Sequence, residues 1–115
     1  MVFVHAIRFL VSETDAVVAL DIAETLATEF TDCEIEPVSD FNGLKVPNTR
    51  PARVTIAIVS AEIVNQELCD RFLAAEAGVV VLGDSAVSGR SVVTLPKPFT
   101  EEMLVGAIED SLSLT

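Results

Sequence analysis

Near the middle of this chain runs Arg53-Val54-Thr55-Ile56-Ala57-Ile58-Val59-Ser60-Ala61, a stretch without one carboxylate and nearly all β-branched or aliphatic. Alternate side chains of a strand point to opposite sides of the sheet, so an unbroken apolar run needs cover on both. The run therefore belongs at the centre of a sheet, and strands buried on both faces are typical of parallel sheets clothed by helices. Composition agrees, because 50% of the residues are hydrophobic while the aromatic ones are six Phe alone, leaving Val, Ile, Leu and Ala to build the core. A length of 115 residues allows one such core, hence a single domain over 1–115.

The rest of the chain supplies partners for that strand. Residues 6–11 predict a first strand, with Ile7, Phe9, Leu10 and Val11 as an apolar run that stops at Ser12-Glu13-Thr14-Asp15. A helix follows, capped by Thr14 or Asp15, whose side-chain oxygen can satisfy a free amide of the first turn. Its stripe is Val18, Ile22, Leu26 and Phe30, with Ala19, Ala23 and Ala27 beside it and Asp21, Glu24 and Glu29 toward water. Residues 33–38 alternate apolar and acidic, and Pro37 places them near a sheet edge, where a missing N–H costs no ladder bond. Residues 39–51 contain Asn42-Gly43, Pro47, Asn48 and Pro51 and leave room for a turn or two of helix.

After the central strand, Ser60 is the expected cap of a helix that buries Ile63, Val64, Leu68, Phe72 and Leu73 and ends at Gly78. Residues 79–82 make the next strand. Only 83–89 and Arg90-Ser91 then precede a strand over 92–95, whereas a parallel crossover normally takes about a dozen residues or more. The connecting helix is thus expected to be a loop or a single turn. A final helix over 101–112 shows Leu104, Ile108 and Leu112 as its stripe, with Glu101 and Glu102 at the positive end of its dipole. The pattern predicts an α/β fold: a flavodoxin-like open parallel five-stranded sheet with helices on both faces, the second and fourth helices short or missing. Function in such sheets gathers at the carboxyl ends of the strands. Here those ends carry Glu13, Thr14, Asp15, Ser60, Gly83, Asp84 and Lys97.

Eighteen acidic residues against seven basic ones give a net charge of −11, which repels nucleic-acid phosphates and anionic lipid, so no nucleic-acid and no membrane partner is expected. Arg50-Pro51-Ala52-Arg53 reads as the solvated approach to a strand. Cys33 and Cys69 lack any CxxC partner and read as buried free thiols. The apolar start Met1-Val2-Phe3-Val4 is broken by His5 and Arg8, too short for a signal sequence or a membrane span. A soluble, reducing, cytoplasmic setting is expected. His5 is the single histidine and has no Ser or Cys at motif spacing. The glycines at 83 and 89 match neither dinucleotide-binding nor P-loop spacing. No cofactor, no metal and no enzymatic activity are expected.

The stretch Val92-Val93-Thr94-Leu95-Pro96-Lys97-Pro98-Phe99, running into Thr100-Glu101-Glu102, resembles the last strand and last helix of a response-regulator receiver (CheY-like) domain. In that family the lysine grips a phosphoryl group carried by an aspartate at the end of the central strand. The resemblance implies that Lys97 is that lysine and that the Lys97-Pro98 bond is cis. It implies an acidic pair holding Mg²⁺ at Glu13 and Thr14, with Asp15 adjacent, so Glu13 matches in part. The acceptor would fall within 57–59, where Ala57, Ile58 and Val59 offer no carboxylate. The hydroxyl expected after the fourth strand is replaced by Gly83, with Ser85 two positions on, and the aromatic switch position holds Thr94.

These departures point to a degenerate, non-phosphorylatable receiver, or pseudo-receiver, acting by protein–protein interaction in a two-component-type pathway. Its partner would be a histidine kinase, a phosphotransfer protein or an effector, or a second copy in a homodimer, met near residues 84–90 beside the last helix. Lys97 is open to three roles: binding an anion, pairing with Glu13 or Asp84, or setting up the last helix through its Lys-Pro turn. Two alternatives stand beside this reading. One is a working receiver with a relocated acceptor, Asp84 or Asp15, using Lys97 and Mg²⁺. The other is a small-ligand sensor whose strand-end pocket is lined by Glu13, Ser60, Asp84 and Lys97.

Overall fold

The structure, a computed structural model, describes residues 6–30, 32–38 and 53–113. In chain order the elements are β1 (Ala6–Ser12), α1 (Ala16–Glu29), β2 (Cys33–Pro37), β3 (Arg53–Ser60), α2 (Gln66–Ala74), β4 (Gly78–Leu82), β5 (Val92–Leu95) and α3 (Glu101–Ser113). The five strands form one sheet in the order β2-β1-β3-β4-β5. Every neighbouring pair is parallel, with β1 and β3 in register from Ala6 opposite Arg53 to Ser12 opposite Val59. This is the flavodoxin-like order, in which the chain reverses its direction of travel between β1 and β3. The apolar run of β3 occupies the centre, as its composition requires, and Pro37 lies in edge strand β2.

Strand alternation sends two sets of side chains to opposite faces. Phe9, Ile56, Ile58, Val80 and Leu82 meet Ile22 and Leu26 of α1 and Leu104 and Ile108 of α3. Phe30 adds a tilted ring contact with Phe9, centroids 5.3 Å apart. Leu10, Ala57, Val59, Val79 and Val81 meet Leu68, Cys69 and Phe72 of α2 on the other face. At about 25 cal/mol per Å² of apolar surface, these two layers supply most of the drive to fold.

Helix α1 starts where its cap predicts. The Asp15 carboxylate accepts from the amides of Val17 (2.9 Å) and Val18 (3.3 Å). Ser60 does not cap the next helix: it is still paired with Leu82 in the sheet and wholly buried. The chain first makes a turn in which Ser60 O accepts from Ile63 and Val64, and Asn65 then caps α2 by accepting from Leu68 N at 2.8 Å. Nor does Gly78 end that helix, which stops at Ala74, with Glu76 taking the left-handed conformation (φ 61°) and Ala77 N bonding Phe72 O. Gly78 opens β4 under α3, where a Cβ would sit 2.3 Å from Ser111 Oγ and 2.7 Å from Ile56 Cδ1. Close approach of backbone to helix, and not a turn, is what requires glycine there.

Residues 84–89 contain no helix. After Gly83 (φ 106°) they form an extended strap over α2, held by two bonds between the Gln66 side-chain amide and the Ser88 backbone (2.9 and 3.2 Å) and by Val87 on the core. Cys69 is buried as expected, but Cys33, on the edge strand, is only partly so; both thiols are free. Segment 39–51, the expected place of a second short helix, lies outside the described residues, as do His5 and Arg50. Among the described residues no helix is long and apolar enough to cross a membrane.

Candidate functional site

The carboxyl ends of β1, β3 and β5 bring together residues far apart in sequence. The chain leaves β1 at the switch point through Glu13, Thr14 and Asp15. It leaves β5 through Pro96 into a cis Lys97-Pro98 bond, and the Lys97 side chain reaches back across the sheet to Glu13. Its Nζ lies 3.0 Å from Oε1 and 2.9 Å from Oε2. Glu13 Oε1 also accepts from the Thr14 hydroxyl and from the Asp15 backbone N–H, each at 3.2 Å. Oε2 is buried and has no aligned hydrogen bond, so the lysine holds it by charge alone.

The Glu13 side chain is fully shielded while that of Lys97 is 35% exposed. Removing water from one partner strengthens the attraction relative to a surface pair, and the cost of desolvating the carboxylate offsets part of that gain. Thr14 Oγ1 also lies 3.1 Å from Glu62 Oε2. With a single hydroxyl proton, Thr14 can donate to only one carboxylate at a time. Glu62 therefore belongs to the cluster, although sequence reading passed over it. Its signal was available: an acid two residues beyond the end of the central strand.

The remaining candidates are placed elsewhere. Asp15 spends its carboxylate on the α1 cap. Ser60 is buried, its Oγ accepting from Glu62 N at 3.4 Å, with no base beside it. Asp84 is exposed just past Gly83 and forms no ion pair with Lys97. Thr94 is exposed on β5. Ala57, Ile58 and Val59 are all wholly buried at the end of β3. Among the described residues, no three His, Cys, Asp or Glu side chains converge where they could hold a metal ion.

The structure also opens an unforeseen cleft beside the site. Val18, Asp21, Ile22 and Thr25 of α1 face Lys97, Pro98, Phe99, Glu101 and Leu104 across a space of about 470 Å³. Of the four residues expected to line a strand-end pocket, only Lys97 borders it. Thr25 carried the available signal, a hydroxyl beside the apolar stripe, and it proves to be only 5% exposed.

No family model matches this sequence, and no curated protein does.

Proposed function

We propose that this chain is a degenerate receiver-like signalling domain, not open to phosphorylation, that acts through protein contacts in a two-component-type pathway in the cytoplasm. The observation that carries the reading is the pairing of Lys97 with Glu13 above a β3 end that has no carboxylate. The ammonium that would grip a phosphoryl group is already neutralised, and the position that would carry the group is apolar. Function then falls to a surface. The reduced β4–β5 connection is where a histidine kinase, a phosphotransfer protein, an effector or a second copy would meet it, and it lies across α2, on the face opposite α3 and not beside that helix as the sequence suggests.

Two placements favour this reading over a relocated acceptor. Asp15 is engaged as a helix cap, and Asp84 is not paired with Lys97. The test is an amide NMR spectrum recorded with and without Mg²⁺ and beryllofluoride, a stable stand-in for the phosphoryl group. The spectrum is expected to stay unchanged. Shifts clustered on Glu13, Asp84 and Lys97 would overturn the proposal, and their loss in Asp84→Asn or Asp15→Asn would name the acceptor.

A further inference from the structure

The cleft between α1 and the start of α3 has a chemical character of its own. Val18, Ile22, Phe99 and Leu104 give it apolar walls, and Thr25 adds a nearly buried hydroxyl. Its volume of about 470 Å³ lies within the range of roughly 300–1,000 Å³ typical of small-molecule sites.

Three charged residues border it: Asp21, Glu101 and Lys97. The lysine contributes its apolar stem, because its ammonium is held by Glu13 at 2.9 and 3.0 Å. Asp21 and Glu101 form no ion pair with a described residue. Among the described residues nothing compensates their charge, on a chain whose net charge is already −11. An anionic ligand would face both carboxylates, and among the described residues lining the cleft the one cation, Lys97, is already paired with Glu13. A second copy docking through the same face would bring like charges together, since neither α1 nor α3 contains a Lys or Arg.

We propose that this cleft binds a small organic cation, an ammonium or guanidinium group on an apolar body. The cationic end lies toward Asp21 and Glu101, and the body lies against Ile22, Phe99 and Leu104. Because both carboxylates are exposed, their share of the affinity is modest, and the apolar walls supply the remainder. The assignment does not rest on the receiver-like reading and survives its failure.

The experiment is an NMR titration of the whole chain with hexylammonium, and with hexanol and hexanoate as size-matched controls. Hexylammonium is expected to give saturable shifts at Thr25, Phe99 and Leu104, with hexanol weaker and hexanoate inert. The double variant Asp21→Asn, Glu101→Gln should weaken the amine about fivefold, the scale of exposed charge pairs, and leave hexanol unchanged. Equal binding of all three compounds, or shifts confined to Glu13 and Lys97, would overturn the proposal. A lysine within a capped tripeptide binding as tightly as hexylammonium would assign the cation to a partner protein and overturn it as well.

Discussion

Among the described residues, one face of the sheet carries α1 and α3, of 14 and 13 residues, and the other carries α2, of 9 residues, with the strap 84–89 laid across it. The outer surfaces contrast as sharply as the lengths. Helix α2 turns Gln66, Glu67, Asp70 and Arg71 to water and fastens the strap through Gln66. Helix α1 leaves Val17 70% and Leu20 60% exposed. A helix that is apolar on more than one side has use for a second contact, whereas α2 is finished as a solvent face. The α2 side is closed by directed polar bonds, and the α1 side keeps unspent apolar surface next to a cleft.

The strongest way to break this contrast is to hollow out each face in turn. Phe72→Ala, beneath α2, is expected to cost about 3–5 kcal/mol. Leu26→Ala, beneath α1 with α3 close by, should cost about 2–4 kcal/mol. Urea unfolding of both variants measures the difference, and an equal or larger loss at Leu26 would mean that the α2 face is no more dependent on its helix than the face of α1 and α3. A smaller effect sharpens the strap's role. Gln66→Ala removes both bonds to Ser88 and is expected to cost about 1 kcal/mol while speeding hydrogen exchange at the Ser88 amide. An unaltered exchange rate there would leave Val87 as the strap's real anchor.

The smallest effect depends on pH. Burial first, and Asp70 second, push the Cys69 thiol above its ordinary pKa. The folded state therefore holds the thiol proton more tightly than the unfolded one. The associated stability is complete below the ordinary thiol pKa and is lost as pH climbs through the raised one. The stability gap between the parent and Cys69→Ala should narrow in alkaline solution, as thermal melts across that range would show. Cys33, raised by the same two causes with Asp32 as its neighbour, is only partly buried and should show less of this behaviour.

Sheet, strand positions and the reduced fourth helix were legible because β3 and its neighbours are apolar runs with no other stable environment, and because seven loop residues cannot hold a helical crossover. The start of α2 was not. Ser60 is as good a cap by type as Asn65, and only its pairing with Leu82 removes it from that role. Gly78 misled in the same manner, since a glycine demanded by a helix crossing reads like a glycine demanded by a turn. At the site, Glu13 and Lys97 could be named from strand ends, yet Glu62 and the cleft depend on how turns and helices settle across the sheet.

The contact between Lys97 and Glu13 spans 84 positions of sequence. It joins the exits of the first and last strands, with β3 and β4 standing between them in the sheet. Closing so long a loop costs entropy that the intervening strand pairings must already have offset. The ion pair is thus expected to form late in folding, once the sheet is complete. Its energy acts chiefly as a brake on unfolding, with little influence on how quickly the chain first finds its shape.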